Sequence, residues 1–383
     1  MPSPFTHTFP SGSLPGYSTF REIQVFVDGR LIGVAWPYPV IYTGGVNPLL
    51  WRPIVSISAF DVPTYEIDMT AYLPMVLGEA KSWEIRVVSH DPASGDLIGS
   101  NWIVTGRVFV WTDPDPSWVT TGTINHILAP EPKFEAETIL QTDNQGRNIT
   151  LQTSLEASRS ISVSSTIYTS SGVHNAIWTQ GLSFTNKNTL TNGAANQSVT
   201  QTTSGSSFST SEGKSLTCAY SYPLQVNSSY ELMPGGGFSI AADVYLAVDE
   251  SDMRPGVLLL GRRGHATSSL IGSATYNSAE RVGRGVTEQV INFHGKGIGE
   301  VLGSYSRKVA ADRGNLVEDE EWVNGRRVPK HDGDEAIAGT VDVGFGGRSS
   351  VREILGRGPK DFGASPSSID TMETELLRGR LGV

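Results

Sequence analysis

The carboxylates Glu22, Asp28, Asp61, Glu66, Asp68 and Asp91 lie among the aromatics Trp36, Tyr38, Tyr42, Trp51 and Trp102. Carbohydrate sites are built from these residue types, because aromatic faces stack on the apolar face of a sugar ring while carboxylates accept hydroxyl hydrogen bonds. The same types also serve plain packing: Trp and Tyr fill β-sandwich cores, and Asp28 and Asp68 stand where turns favour Asp for backbone reasons. On residue types alone both accounts stand. Other chemistries find less support. The seven histidines never pair at metal-ligand spacing, and no nucleophile elbow of the Gly-x-Ser-x-Gly kind occurs, so neither a metal nor a cofactor is expected. Gly213-Lys214-Ser215 ends like a phosphate loop but has Phe208 in place of the earlier glycine, and Gly295-Lys296-Gly297-Ile298-Gly299 lacks dinucleotide spacing.

The elements that must position these groups are strands. From Ile23 to Val27 apolar and polar residues alternate, with Ile23, Val25 and Val27 on the face expected to be covered and Glu22 and Gln24 opposite; Asp28-Gly29 then predicts a hairpin turn into Leu31–Trp36. Phe238, Ile240, Ala242, Val244, Leu246 and Val248 repeat every second residue and predict a long half-buried strand. Trp83, Ile85 and Val87 continue the pattern, as do Val108 and Val110. Many short strands with Gly, Pro and Asn turns give the expected fold class: all-β, built of jelly-roll or β-sandwich domains with a poorly ordered C-terminal tail. The expected division is a leader at 1–15, a β domain at 16–118 ending near Asp113-Pro114-Asp115-Pro116, a linker at 119–128, a second β-rich domain at 129–320 and a tail at 321–383 with a short helix from Ser368 to Leu377. The Ser/Thr/Asn-rich stretch Asn186–Lys214 is expected as solvent-facing strands with long loops.

Composition limits the partners. The 383 residues carry a formal net charge of -10, which disfavours nucleic acid, since phosphate binding needs clustered Lys and Arg. The densest aliphatic patch, Val257–Leu260, is flanked by Arg254 and Arg262 and is far too short to span a membrane, so no membrane partner is expected. The N-terminus has neither a basic nor an apolar segment of a secretory signal. Three acceptor triplets for N-linked glycans, Asn148-Ile149-Thr150, Asn196-Gln197-Ser198 and Asn227-Ser228-Ser229, suit a secretory chain but arise easily by chance in so Ser/Thr-rich a sequence. The single cysteine, Cys218, permits no disulfide within the chain.

Five blocks then carry a resemblance: GYSTFREIQVFVDG from Gly16 to Gly29, WPYPVIYTGGVNPLLWRPI from Trp36 to Ile54, Ala59-Phe60-Asp61, Ile67-Asp68-Met69-Thr70, and Trp102-Ile103-Val104-Thr105-Gly106. In this order they resemble the acid peptide-N-glycosidase A family of fungi and plants. Tyr305-Ser306-Arg307-Lys308-Val309 and Val317-Glu318-Asp319 extend the likeness to about Asp319. The resemblance implies hydrolysis of the amide between asparagine and the first N-acetylglucosamine of an N-glycopeptide or glycoprotein, without metal or cofactor, in the secretory pathway. By analogy with related bacterial enzymes it also implies two packed jelly rolls with acidic residues in the cleft between them.

Within that frame Glu22 is the first candidate catalytic carboxylate: it lies opposite the Ile23/Val25/Val27 face, need not be buried, and sits beside Arg21, which would hold it ionised or orient it, with a plain surface Arg–Glu pair as the alternative. Asp61 is the second, with Arg52 as partner and a turn aspartate as the alternative. Trp36, Tyr38, Trp51 and Trp102 are candidates for sugar or peptide contacts. The family places a further acidic group on a domain upstream of Gly16, so the chain is expected to be an N-terminally truncated member with weak or no turnover. A non-catalytic module that binds glycans or glycopeptides is the alternative expectation.

Overall fold

Asp28 and Gly29 both take left-handed backbone angles, φ 47° and 75°, the geometry of a two-residue hairpin turn whose twist matches its strands. They join β1 (Arg21–Val27) to β2 (Arg30–Ala35) as the alternation predicts, and β3 (Trp83–Ser89) adds to the other side of β1 in a three-stranded antiparallel sheet. The computed structural model describes residues 5–328 apart from 10–13, 15, 17, 43, 60–64, 80, 91–103, 235, 252–262 and 297–301. Asp61, Asp91, Trp102, the Val257–Leu260 patch and the helix expected from Ser368 to Leu377 lie outside the described residues.

The rest of the described chain is dominated by one large antiparallel sheet. Its strands are β4 (Thr121–Leu128), β5 (Lys133–Thr142), β6 (Asn148–Thr169), β7 (Gly172–Thr191), β8 (Asn196–Ser211), β9 (Lys214–Leu232), β10 (Phe238–Ser251), β11 (Arg263–Asn277), β12 (Val282–Lys296), β13 (Leu302–Asp312) and β14 (Asn315–Val323). From β6 to β14 each strand pairs with the next in sequence, and β6 is long enough to pair with both β4 and β5 along its other edge. The all-β class holds, and the connectivity of this sheet is a meander. The Ser/Thr/Asn-rich stretch Asn186–Lys214 is strand joined by tight turns, at Asn192-Gly193 and at Glu212-Gly213, all four residues with positive φ. Gly213 of the phosphate-loop-like triplet is thus a turn residue. Thr121–Leu128, expected within a linker, is a strand, and Met1–Gly325 forms one compact unit with no break at residue 118; Arg326–Val383 forms a second, of which 326–328 are described. β14 runs to Val323, three residues into the expected tail.

One face of the large sheet is apolar, and residues N-terminal to β4 cover it. On β6 every second residue from Leu151 to Ile167 is buried, and on β7 the partners Ala176, Trp178, Leu182, Phe184 and Leu190 continue that face. Phe9 packs near its end against Leu151 and Leu190. The small sheet covers the middle through Phe20, Val27, Ile32, Val34 and Trp36, with Tyr72 from the short helical segment Thr70–Val76. Tyr38, Leu50, Trp51, Ile54 and Ile57 cover β9 to β11. The expected apolar residues Val108 and Val110 are exposed and outside any strand.

The last contact is very close. The 3-10 turn Pro48–Trp51, capped by the Asn47 side chain accepting from the Leu49 N–H at 3.1 Å, lies on β12, where Thr287 donates its hydroxyl to the Leu50 carbonyl at 2.6 Å. A Cβ added to Gly285 would stand 2.0 Å from the Leu49 carbonyl oxygen, so only glycine admits the turn. Gly285→Ala is expected to lower stability by at least ~1–3 kcal/mol, an overpacking cost against unyielding backbone, seen as an earlier urea midpoint.

Candidate functional site: a buried carboxylate held by a guanidinium

β1 presents its polar side to the large sheet. Glu22 is fully buried and Gln24 nearly so, while Ile23 and Val25, expected on the covered face, are only half-buried; Val27, beyond the register shift between Val25 and Phe26, is buried as the alternation predicts. The physical reason lies 137 residues along the chain. Arg159 stands at a core position of the β6 stripe, between Ala157 and Ile161, and its side chain is 0% exposed. A buried guanidinium needs a buried carboxylate, and Glu22 supplies it.

The geometry uses both carboxylate oxygens. Oε1 of Glu22 accepts from Gln24 Nε2 at 2.7 Å and from Nη1 of Arg159 in a short contact, and Oε2 accepts from the Trp36 indole N–H at 2.8 Å. Phe20 stands edge-on to Trp36, with ring centroids 4.9 Å apart, and closes one side. Among the described residues, Nε and Nη2 of Arg159, the Tyr72 hydroxyl and Oε1 of Gln180 are buried with no hydrogen-bond partner. Tyr72 is near enough for the Arg159 charge to act on its phenol, and Gln180 sits opposite Ile161, one position along from Arg159, with its Nε2 donating to the Val34 carbonyl at 3.1 Å. The cluster therefore holds a fixed carboxylate next to spare donors and an acceptor, the equipment for orienting a polar carbonyl or amide.

Arg21, expected beside Glu22, instead directs Nη1 to the Phe20 carbonyl at 2.7 Å and the Ser18 carbonyl at 3.3 Å. Trp36, Tyr38 and Trp51 are all buried, and Trp51 donates its indole N–H to the Gly45 carbonyl at 2.7 Å; Arg52 is exposed. The structure thus brings Glu22 and Trp36 together, and leaves Tyr38 and Trp51 in a neighbouring apolar cluster.

Sequence reasoning missed two groups. Arg159 could have been found as the lone cation in a period-two apolar stripe. Glu250, buried on β10, accepts from the Tyr222 hydroxyl at 2.9 Å. Strand pairing aligns Arg159, Leu182, Gly205, Tyr220 and Glu250 in one row across five strands, about 19 Å from end to end at the usual strand spacing. The Tyr220 ring lies over Gly205, where a Cβ would meet it at 2.6 Å, and stacks on Tyr222 at 4.8 Å. Glu250 was hidden because it extends the apolar alternation of β10 by one step and its partner is the Tyr222 hydroxyl of β9 rather than a cation.

Burial shapes the phenols here. It pushes Tyr65 up to about 12, with the Glu250 charge adding to it and the hydrogen bond from the Tyr38 N–H at 2.6 Å opposing it. Tyr72 is also pushed up to about 12 by burial, against the lowering effect of Arg159, and Tyr38, Tyr220 and Tyr222 are raised further.

With that geometry in place, the class is an all-β protein with a buried acid and its arginine at the seam between a cover and a large sheet. Two family models match, one described as peptide N-acetyl-beta-D-glucosaminyl asparaginase amidase A over residues 1–130 and one as the PNGase_A C-terminal domain over 152–224. A peptide-N4-(N-acetyl-beta-glucosaminyl)asparagine amidase A of Prunus dulcis is 35% identical over 159 residues, covering 41% of this chain and 25% of that relative. No solved structure matches. The chain belongs to the peptide N-acetyl-beta-D-glucosaminyl asparaginase amidase A family.

Two outcomes follow from the cluster. Arg159→Met leaves Glu22 buried without its cation and is expected to cost about 3–5 kcal/mol, while adding Glu22→Gln restores part of the loss; denaturant unfolding of the four proteins of this cycle measures the coupling. The raised phenols favour the folded state fully below the ordinary tyrosine pKa of about 10. As pH rises from there through about 12 that contribution is lost, because the unfolded chain ionises first. An absorbance titration is expected to show the buried tyrosines ionising late, together with unfolding.

Proposed function

We propose that the protein hydrolyses the amide between asparagine and the first N-acetylglucosamine of N-glycopeptides or glycoproteins in the secretory pathway, with Glu22 as the central acidic group. The observation that carries the reading is the Glu22–Arg159 cluster, placed within the chain matched by the two family models. The amidase name of the Prunus dulcis relative, over a quarter of that protein's length, favours hydrolysis over a module that only binds glycans.

The chemistry asks for a base to activate water and for donors to hold the carbonyl oxygen as it gains charge. In the proposed reaction the Glu22 carboxylate, once water reaches it, takes a proton as the hydroxide adds to the side-chain amide carbon of the glycosylated asparagine. The spare N–H groups of Arg159 and the Tyr72 hydroxyl donate to the carbonyl oxygen. Collapse of the adduct breaks the C–N bond, the proton passes to the departing nitrogen, and aspartate and a glycosylamine result. The glycosylamine then reacts with water to give the reducing sugar and ammonia. Asp61 remains the proposed second acid. Arg21, Arg52, Trp36, Tyr38, Trp51 and Trp102 remain the proposed substrate contacts, and the burial of Trp36, Tyr38 and Trp51 requires the cover to shift before those three could meet a sugar.

Incubating the protein with an N-glycopeptide in mildly acidic buffer is expected to give weak turnover, as the sequence leads one to expect, with asparagine converted to aspartate and a glycan released with a free reducing end, both read by mass spectrometry. Glu22→Gln is expected to lower kcat/KM by roughly 10²–10⁴-fold, the usual contribution of a positioned acid or base, with an unchanged far-ultraviolet spectrum. Asp61→Asn tests the second acid in the same assay. Unconverted glycopeptide in every preparation would remove the reading, and undiminished turnover in Glu22→Gln would remove the site.

A further inference from the structure

Among the described residues nothing covers the outer face of the large sheet at β8 and β9, which is polar there, and two of the three acceptor triplets lie on it side by side. Asn196 opens β8 and Asn227 lies in β9; pairing sets Asn196 opposite Ser229 and Ser198 opposite Asn227, so each asparagine faces the hydroxyl residue of the other triplet. Residues directly opposite in an antiparallel pair share a face. That face is the solvent one, because the alternate positions Val226 and Leu224 of β9 point into the covered core. Asn196 and Asn227 are exposed, they border a shallow concavity with Thr189, Thr191 and Asp243, and among the described residues neither carboxamide is hydrogen-bonded.

Asn148 is different. It is only half-exposed, its Nδ2 donates to the Thr8 carbonyl at 2.7 Å, and it starts the strand whose Leu151 packs on Phe9. A sugar on that nitrogen would have to fit beside this bond and the N-terminal segment that makes it. At Asn196 and Asn227 the nitrogen is free, and a branched sugar extends straight into water.

We propose that Asn196 and Asn227 are N-glycosylated and Asn148 is not, so that two adjacent glycans cover the Ser/Thr-rich outer face. The linkage is the ordinary one: the carboxamide nitrogen replaces a leaving group at the anomeric carbon of a lipid-linked oligosaccharide in the secretory pathway, losing one proton. The proposal requires passage through that pathway and does not depend on the hydrolytic reading. The two sites face away from the seam that holds Glu22, so a glycan on either is remote from that cluster in the same molecule.

The test is to produce the full chain behind a secretion leader in a eukaryotic cell and map its peptides by mass, with and without enzymatic trimming to a single N-acetylhexosamine. Expected are sugar on the peptides holding Asn196 and Asn227 and an unmodified Asn148. Asn196→Gln and Asn227→Gln are each expected to remove one glycan-sized step of gel mobility, and Asn148→Gln none. Ser198→Ala and Ser229→Ala remove the same steps while keeping the asparagines, which covers the case where a Gln variant is not secreted. Bare Asn196 and Asn227 on the secreted chain would overturn the proposal. So would occupancy of Asn148 equal to theirs, since the triplet and not the face would then decide, and sugar at just one of the two would strike the other from it.

Discussion

The seating of the N-terminal cover on the large sheet turns on a single buried ion pair. Arg159 is the one charged residue on the buried stripe of β6, which is otherwise apolar apart from Thr153 and Ser165, and the carboxylate that neutralises it comes from β1 of the other sheet. Removing both charges from water has a large desolvation cost, and a hydrophobic pair of similar volume could match or exceed the stability of such a bridge. What the pair supplies is position: apolar surfaces tolerate sliding, whereas a guanidinium in a dry interior accepts one placement of its partner. Trp36 and Gln24 then complete the hydrogen bonds of Glu22 from the same small sheet, so the hairpin at Asp28-Gly29, the indole of Trp36 and the register of β1 are all tied to one residue of β6.

The two faces of the large sheet have separate roles as a result. The covered face gathers the buried aromatics, the two enclosed carboxylates Glu22 and Glu250 and the unpartnered donors of Arg159. The outer face is largely hydroxyl, amide and charged side chains, as on β6, where Ser154, Glu156, Ser158 and Ser160 alternate with buried residues. A polar face of this kind lets a very broad sheet remain single-layered on one side without exposing an apolar patch.

Much of this was legible in the sequence, and the failures have clear causes. Asp28-Gly29 and the alternation from Phe238 to Val248 announce their hairpin and strand because backbone angles and period-two burial are local properties. Alternation at Ile23 to Val27 tells that two faces differ but not which one meets the sheet; that depends on Arg159, which no local window contains. Arg21 was the nearest cation in sequence and the wrong one in space. That Trp36, Tyr38 and Trp51 are buried was not legible either, since residue type alone does not say whether an aromatic is exposed or enclosed. The Ser/Thr-rich stretch from Asn186 does form strands as expected, but they are joined by tight turns and one side of them is covered, because burial on β7 and β8 includes Asn186, Asn188 and Thr203 beside the apolar residues.

The sequence separation of the ion pair sets an order of events during synthesis. The meander from β6 to β14 is made of neighbouring hairpins, each of which can close as soon as it leaves the ribosome. The cover cannot, for Phe20, Trp36 and Glu22 emerge first and their receiving strands β6 and β7 follow more than a hundred residues later. At ordinary elongation rates that gap lasts on the order of ten seconds, during which an unpaired acid and several large aromatics wait in an incomplete layer. The chain is therefore made lid first and vessel second.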